Sequence, residues 1–477
     1  MKKHILSLLL AFVSQVGGAG IQFDQGDRVL FYGGSFIERL QGNGFFEASL
    51  QLAHPKKNLE FRSLAWTGDE VGYRLRPERY VNHLKNLLNK WPAKVVILGF
   101  GGNESFAGKR GIARFRSDFE GYLDEINRRH PKAMVIVLSP IATEDLKHRY
   151  YPEPKKRNRE ISSYVEVMRE VAQGRNVRFV NLFQPSLAAY AAQEVVLTEN
   201  GIHLNQEGNK IIARYLAKEL LGSATYAGLN QTRVEELARA VSRKSAHVAD
   251  VVRPVNTVLY FGVRGRASEY NAEMPRFHAL IENADARIHA MAKDDSIRFD
   301  SKPITLPALH DRKPAKLPSP DEMLSSFQVA DGYKVNLFAS EREFPELRNP
   351  EQIAFDSKGR LWVVTMPSFP GTIPGEVPHD KVIVLEDTDH DGRADKSTIF
   401  ADHLTVPDGL AFYKDGVIIS HQPRLVFMKD SNGDGKADIK EEILRGIDVT
   451  DAHHGGMIAM GPMGHVMFCD GVFHRSQ

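Results

Sequence analysis

Short apolar runs alternate with helical periodicity over the first 220 or so residues. The apolar runs are residues 29–32, 59–61, 95–100, 134–138 and 177–182. Between them, apolar side chains recur at the spacing of one helix face, as at Phe115, Phe119 and Tyr122. Continuous apolar strands alternating with helices predict a parallel sheet covered on both faces, here over residues 21–222. Ligands bind at the carboxyl ends of the strands in such sheets.

The pattern then becomes mostly helical over residues 223–294, where Thr232 and Glu235 have the spacing of a capping box. Residues 295–320 include five prolines, between Pro303 and Pro320. Because proline-rich chain is stiff and extended, we expect a helical spacer followed by a linker.

From residue 321 to 477 the pattern changes to short strands and turns that repeat. The repeats are PEQIAFDSKGRLWVV, PDGLAFYKDGVIIS and GGMIAMGPMGHVMF, starting at Pro350, Pro407 and Gly455. Their aligned alanines, Ala354, Ala411 and Ala459, are 57 and 48 residues apart. Such periods predict an all-β propeller. About three blades fit here, fewer than the roughly four to eight of a closed propeller, so the propeller is expected to be partial and truncated.

The N-terminus has the features of a secretory signal over residues 1–20. Lys2 and Lys3 precede an apolar stretch at residues 5–13, and small residues follow at 17–20. The apolar stretch is too short to span a bilayer. We therefore expect cleavage near Gly20 and export to the periplasm, cell surface or medium, with no transmembrane segment afterwards.

Net charge and cysteine content exclude some classes of function and of cofactor. The net charge is +2 with no basic stripe, so nothing indicates a nucleic-acid partner. Cys469 is the single cysteine of a chain expected to be exported, so disulfides within the chain are excluded. The sequence also lacks CxxCH, which excludes a c-type haem site within these residues. The oligomeric state stays unknown.

Four short motifs follow successive strands or precede the last helix of the α/β region. Ser35 follows two glycines after the first strand, Gly68 follows the second, and Asn103 follows the third. His203 comes just before a helix expected to start near Gln206. Acyl transfer needs a nucleophile, a base and donors for the oxyanion. Ser35 and His203 could supply the first two, and backbone and amide N–H groups the donors.

At these residues the chain resembles the SGNH (GDSL-type) hydrolases. The matching blocks are YGGSF, AWTGDE, FGGNES and NGIHLNQEG, in the family's order. The resemblance implies a three-layer, flavodoxin-like α/β/α fold and ester hydrolysis without a cofactor. It also implies that Ser35 is the nucleophile, that Gly68 and Asn103 complete the oxyanion hole, and that His203 is the base. A carbohydrate O-acetyl ester or another small ester is the expected substrate.

Two positions depart from that family. Gly34 stands where the family usually has aspartate, and Asn200 stands where it has the aspartate that orients the histidine. In serine proteases, Asp→Asn at the orienting position costs about 10⁴ in kcat. Glu199 and Asp69 are nearby in sequence as other carboxylates. An active esterase, an altered hydrolase and a non-catalytic binding or scaffold domain all stay open.

Two acidic loops have the spacing of calcium-binding loops. Asp387, Asp389, Asp391 and Asp395 form the first set, and Asp430, Asn432, Asp434, Asp438 and Glu441 form the second. Alternate oxygens on a tight turn suit Ca²⁺, and only the second loop has a carboxylate at position twelve. Calcium is therefore a candidate ion, expected to bind the second loop more tightly, and solvated acidic turns are the alternative.

The third region resembles the quinoprotein-like propeller of secreted planctomycete-type proteins called membrane-bound or PQQ-type dehydrogenases. The matching segments include ADGYKVNLFASE, GRLWVVTMPSFPG, LEDTDHDGRADKSTIFADHL and DAHHGGM. This resemblance leaves a second alternative, the front end of such a dehydrogenase. His453 and His454 would then serve a redox site, although turn residues at a blade rim are the favoured explanation. The favoured interpretation is an exported SGNH-type esterase.

Overall fold

The computed structural model describes most of the chain after the expected signal peptide. The described residues are 20–71, 79–149, 151, 153–175, 177–262, 265–300, 304–308, 318–445, 447, 449 and 456–469. The predicted signal peptide lies outside these residues except for Gly20, and so do His453 and His454.

Five parallel strands form the sheet of the N-terminal domain. They are β1 (Arg28–Gly33), β2 (Glu60–Ser63), β3 (Val95–Gly99), β4 (Met134–Leu138) and β5 (Arg178–Val180). Their order is β2-β1-β3-β4-β5, with β1 paired to both β2 and β3. This is the flavodoxin-like order, in which the chain reverses direction across the sheet between β1 and β3. The predicted parallel sheet is confirmed, with strand ends shifted by one or two residues.

Helices cover both faces of this sheet. They are α1 (Ser35–Asn43), α2 (Phe45–Ala53), α3 (Tyr80–Lys90), a 3₁₀ segment (Glu104–Gly111), α4 (Ile112–Arg129), α5 (Pro154–Gly174), α6 (Phe183–Ala192) and α7 (Gln206–Leu221). One apolar core joins Phe31 and Ile97 of the sheet to α1, α2 and α7. A second core joins Leu30 and Val96 to α3, α4 and α5. Alternate strand residues therefore point into different layers, as the continuous apolar strands predict.

The segment interpreted as a spacer packs into these same cores. It forms α8 (Ser223–Ala227), α9 (Gln231–Val252), α10 (Thr257–Phe261) and α11 (Ala267–Lys293). Leu237 and Ile288 lie in the first core, and Val251 and Phe277 in the second. Helices α9, α10 and α11 are structural parts of the α/β unit, because their apolar faces are buried against it.

The predicted capping box at Thr232 and Glu235 is wrong. The cap of α9 is Asn230, whose side chain accepts hydrogen bonds from the N–H groups of Thr232 and Arg233. Glu235 instead forms an ion pair with Lys210 of α7. Asn230 is an equally good capping residue two positions earlier, so the helix begins sooner than the motif suggested.

The C-terminal region is antiparallel. After a short helix α12 (Pro320–Ser325), the strands are β6 (Pro350–Phe355), β7 (Leu361–Thr365), β8 (Asp380–Glu386), β9 (Lys396–Leu404), β10 (Pro407–Tyr413), β11 (Gly416–His421), β12 (Arg424–Lys429), β13 (Ile439–Arg445), β14 (Met457–Met460) and β15 (Val466–Cys469). They form two four-stranded sheets, β6–β9 and β10–β13, and the hairpin β14–β15.

The three repeated motifs each form the first hairpin of one of these units. Ala354, Ala411 and Ala459 lie on the first strand and pair with Trp362, Ile418 and Met467 of the second. The sequence repeat is thus a structural repeat of antiparallel sheets. That these sheets are blades of a partial propeller stays a prediction.

Candidate active site

Ser35 is the first residue of helix α1 and follows the end of β1 by two residues. The chain turns there from strand to helix, and the Ser35 N–H lies where helical N–H groups have no intrahelical acceptor. The Ser35 hydroxyl oxygen accepts a hydrogen bond of 3.1 Å from the N–H of Gly68. The carboxyl ends of β1 and β2 therefore bring the serine and a backbone donor into direct contact.

Gly34 allows this contact because the two loops approach closely. A Cβ atom at Gly34 would lie 2.9 Å from the carbonyl oxygen of Asp69. Gly68 itself has φ = +71°, a left-handed conformation that favours glycine. Thr67 also donates a hydrogen bond to Glu38 of α1, which ties the second loop to the serine helix. The family's aspartate at position 34 has no room in this arrangement.

Asn103 follows β3 and directs its side-chain amide to the same loop. Its Nδ2 donates to Glu70 Oε1 at 3.0 Å and to the Gly68 carbonyl at 3.4 Å. The next residue, Glu104, accepts hydrogen bonds from the N–H groups of Val71 and Gly101, at 2.9 and 2.8 Å. The loops after β2 and β3 are thus joined through two carboxylates.

His203 lies just before α7, as the sequence predicts, and Asn200 is its partner. The Asn200 Nδ2 lies 3.1 Å from His203 Nδ1. The Asn200 Oδ1 accepts from the backbone N–H groups of Ile202 and His203, at 3.2 and 3.0 Å. Those two donors require an oxygen at that end of the amide, so the NH₂ group faces the ring. His203 Nδ1 is therefore an acceptor, and the ring proton lies on Nε2.

The histidine is held neutral. Burial lowers the pKa of His203 to about 4, and the positive charge of Arg39 adds to the decrease, whereas Glu199 and Glu38 act in the opposite direction. Burial opposes the charged imidazolium because it removes water. Asn200 brings no charge that would offset this cost.

The loop that carries His203 is fixed by other carboxylates. Glu144 accepts hydrogen bonds from the Leu197 N–H and the Thr198 hydroxyl, at 3.0 and 2.6 Å. Glu199 pairs with Arg39 of α1 at 2.8 Å and with Arg445 of β13 at 3.7 Å. The hydrogen bond at His203 Nδ1 comes from Asn200, and Glu199 acts on the ring only through its charge.

Ser35, Gly68, Asn103 and His203 all line one cavity of about 90 Å³. Arg39, Asp69 and Glu104 contribute to its polar wall. Its apolar wall comes from Phe36, Phe100, Phe106, Ile141, Ile161 and Leu204. The structure thus brings together the four residues singled out in the sequence, with Asn200 behind the histidine. Their catalytic roles stay a prediction.

The acidic loops of the C-terminal sheets differ from each other. Carboxylate oxygens of Asp387, Asp389 and Asp395 lie within 4.8 Å of one another, although two of these side chains are exposed. Within the described residues, no such group of three forms in the second loop. A strand follows that loop, and Glu441 is exposed on it, opposite Phe427. The carboxylate placement therefore does not support tighter binding at the second loop.

Two family models match separate parts of the chain. Residues 31–211 match the GDSL-like lipase/acylhydrolase family, and residues 319–473 match a domain of unknown function, DUF7133. The first match covers the four site motifs and supports a hydrolase acting on ester bonds. The second leaves the function of the C-terminal sheets open. No curated protein matches the chain.

Several solved structures are similar to the N-terminal part. One is a gut microbial diltiazem-metabolizing enzyme, at 18% identity and a TM-score of 0.34, covering 43% of this chain and 49% of that one. A GDSL-like lipase from Parabacteroides merdae has 14% identity and a TM-score of 0.35, covering 43% and 99%. A catalytic mutant of an acetylxylan esterase from Geobacillus stearothermophilus has 15% identity and a TM-score of 0.32, covering 42% and 96%. This chain spans about half the length of the first of these.

Sequence reasoning missed the carboxylates that hold the site together. Glu70 and Glu104 lie inside the quoted blocks AWTGDE and FGGNES, directly beside the motif residues. Their position next to Gly68 and Asn103 was a signal in the sequence. Glu144 gave no such signal, because it is far from the motifs in the chain. Arg39 lies on α1 only four residues after Ser35, but outside the block YGGSF.

Among the described residues, no helix is both long and apolar enough to cross a membrane.

Proposed function

We propose that the N-terminal domain hydrolyses short-chain esters, with the acetyl esters of carbohydrates as its substrates, after export from the cell. The observation that carries this proposal is the contact between Ser35 and the Gly68 N–H at the wall of a cavity that His203 and Asn103 also line. Nucleophile, base and oxyanion donors are the complete set that acyl transfer requires.

The reaction needs only these side chains. The ring proton of His203 must first move from Nε2 to Nδ1, which breaks the hydrogen bond with Asn200. Ser35 Oγ then attacks the acyl carbon while its proton passes to the freed Nε2, and the carbonyl oxygen becomes an oxyanion. The N–H groups of Ser35 and Gly68 donate to that oxyanion. The Asn103 amide also donates to it, with the hydrogen that otherwise bonds the Gly68 carbonyl. The leaving alcohol takes the proton from His203. Water then attacks the acyl-serine by the same steps and releases the carboxylic acid, so no cofactor is needed.

The size of the cavity supports a short acyl group. Its volume of about 90 Å³ is small beside the roughly 300–1,000 Å³ of pockets for drug-sized ligands. Phe36, Phe106 and Ile141 form apolar walls suited to a methyl group. A long fatty chain would need space that these walls fill.

A direct test compares p-nitrophenyl acetate, butyrate and octanoate as substrates of the full chain. We expect kcat/KM to be highest for acetate and lowest for octanoate. Ser35→Ala should remove the activity, whereas Ser163→Ala, a half-buried serine of α5 that does not line the cavity, should leave it unchanged. If Ser35→Ala hydrolyses these esters as fast as the natural chain, Ser35 is not the nucleophile. Release of acetate from acetylated xylo-oligosaccharides by the natural chain tests the carbohydrate assignment separately.

A binding or scaffold function is the second candidate, and the Asn200–His203 contact favours it. With its proton on Nε2, His203 has no lone pair there to accept the serine proton. The proton must first move to Nδ1, which breaks the hydrogen bond with Asn200. A site that binds acyl groups but turns them over very slowly follows directly from this arrangement.

For the C-terminal sheets we propose calcium binding at the first acidic loop. The proximity of Asp387, Asp389 and Asp395 supports this assignment, since Ca²⁺ prefers several carboxylate oxygens at short range. The dehydrogenase alternative depends on His453 and His454, which lie outside the described residues, and it stays a prediction.

A further inference from the structure

The oxyanion donors of the candidate site belong to two separate loops. Gly68 lies on the loop after β2, and Asn103 on the loop after β3. Strand β1 lies between β2 and β3 in the sheet, so no backbone hydrogen bonds of the sheet join β2 to β3. Their relative position must therefore be set by side chains.

Two carboxylates make these connections. Glu70, from the first loop, accepts the Asn103 amide of the second loop at 3.0 Å. Glu104, from the second loop, accepts the Val71 N–H of the first loop at 2.9 Å, and its other oxygen accepts the Gly101 N–H at 2.8 Å. Each loop thus donates to a carboxylate of the other, in a reciprocal pair of bonds.

We propose that Glu70 and Glu104 are positioning residues that fix the oxyanion hole by bracing the loops after β2 and β3 against each other. The inference rests on the proposed function, since an oxyanion hole matters only for acyl transfer. Preorganised donors stabilise the transition state because they need not reorient as charge develops. Loosening the brace should therefore lower kcat and leave KM nearly unchanged.

The surroundings of Glu104 make the brace sensitive to pH. Glu70 faces it from the first loop, and Arg157, Glu160 and Tyr164 face this segment from α5. Burial raises the pKa of Glu104 to about 7, against the opposite effect of its backbone hydrogen bonds. A protonated carboxyl carries a hydrogen on one oxygen, and that oxygen is then a weaker acceptor for a backbone N–H group. The brace should weaken as pH falls through about 7.

The decisive variant is Glu104→Gln, which keeps the size of the side chain but puts an NH₂ group where one oxygen accepts a backbone N–H. Hydrogen exchange at the Val71 and Gly101 amides, measured by NMR on the full chain, should become faster at one or both sites. Glu60→Gln, at the opposite end of β2, is the matched control and should leave both rates unchanged. Unchanged exchange in Glu104→Gln would overturn the proposal.

Kinetics with p-nitrophenyl acetate test the catalytic consequence. We expect kcat of Glu104→Gln to fall roughly tenfold to a hundredfold, less than the 10²–10³ cost of losing an oxyanion donor outright. In the pH profile of the natural chain, kcat should decrease as pH falls below about 7, where Glu104 becomes protonated. The profile of Glu104→Gln should lack this decrease and show only the decrease near pH 4 that belongs to His203.

Glu70 provides an independent arm. Glu70→Gln keeps an oxygen for the Asn103 amide and should retain most of kcat, whereas Glu70→Ala should lower it. Faster amide exchange with an unchanged kcat would reduce both residues to a structural role and overturn the proposal. The exchange measurement needs no turnover. If the chain hydrolyses no ester, the proposed function is contradicted, but amide exchange still shows whether Glu70 and Glu104 hold the two loops together.

Discussion

At the residue scale, a single amide decides how well this site can work. The ester-hydrolase motifs are present, but Asn200 presents an NH₂ group to His203 Nδ1. Two backbone N–H groups fix the amide in that orientation. The same substitution in serine proteases places the imidazole proton on the wrong nitrogen and costs about 10⁴ in kcat.

Asn200→Asp should therefore raise kcat of the full chain for p-nitrophenyl acetate, by at least about tenfold and by at most about the 10⁴ seen in proteases. The carboxylate keeps the oxygen that accepts the two backbone N–H groups, and its other oxygen accepts a hydrogen bond from the Nδ1–H group. The new carboxylate should also raise the pKa of His203 from about 4, so the decrease of kcat/KM on the acid side should begin at a higher pH. Steady-state kinetics across pH measures both effects.

An unchanged or lower kcat in Asn200→Asp would show that the amide already serves the reaction or that the domain only binds. The absence of any shift in the acid limb would show that His203 is not the titrating group.

Gly34 gives the second prediction at this scale. Gly34→Asp restores the residue that is usual in the family, yet its Cβ would lie 2.9 Å from the Asp69 carbonyl oxygen. The second loop must then move, which displaces Gly68 from Ser35, so kcat should fall about tenfold or more. Gly42→Ala, where nothing lies within 4 Å of the new Cβ, is the control and should retain activity. Higher activity in Gly34→Asp would contradict the close approach of the loops.

At the scale of elements, buried charges attach the helices after residue 222 to the α/β unit. Lys244 of α9 forms an ion pair with Glu47 of α2 and lies 3.5 Å from Asp285 of α11. Arg62 of β2 pairs with Asp285 at 2.7 Å. Lys244 and Glu47 are 1% and 0% exposed. Burial raises the pKa of Glu47, and the two cations hold the pKa of Asp285 below its usual value.

Lys244→Ala should destabilise this unit by about 3–5 kcal/mol, because it leaves buried carboxylates without their partner. Urea unfolding followed by far-UV circular dichroism should show the earlier transition. Arg169→Ala removes an exposed ion pair with Glu166, and such pairs contribute about 0–1 kcal/mol. Equal effects of the two variants would mean that α9 is not anchored through Lys244.

At the scale of the whole molecule, the C-terminal sheets contact the α/β unit through several polar pairs. The Asn256 N–H donates to the Val449 carbonyl at 2.9 Å, and Arg276 lies 3.5 Å from Glu376. Arg445 of β13 approaches Glu199, which directly precedes Asn200 and lies four residues before His203. The C-terminal sheets thus touch the loop that carries the candidate base.

Calcium should stabilise the C-terminal sheets selectively. With a Kd of about 10⁻⁴ M, as in extracellular modules, calcium at 100 times that value would add about 2.7 kcal/mol. Calorimetry of the full chain should show one transition rising with Ca²⁺ and reversing with chelator. Asp389→Asn, in the first loop, should reduce that shift more than Asp434→Asn, in the second. A transition that does not respond to Ca²⁺ would mean that the loops are ordinary solvated turns.

The sequence by itself determined the parallel sheet, the antiparallel repeats and the four site residues. Apolar runs fix which strands are buried on both faces, and glycines mark where the chain must turn at the sheet edge. These are local signals, since Ser35, Gly68 and Asn103 each follow their own strand directly. His203 likewise precedes a helix whose start is visible in the sequence.

Tertiary structure alone decided the rest. The orientation of the Asn200 amide depends on backbone donors that exist only in the folded loop, and it sets the tautomer of His203. The brace between Glu70 and Asn103 joins residues from loops that meet only after β1 and β3 have paired. The helices after residue 222 became part of the core because Lys244 and Asp285 meet Glu47 and Arg62 across almost 200 residues or more, and no local pattern records such a long-range pairing.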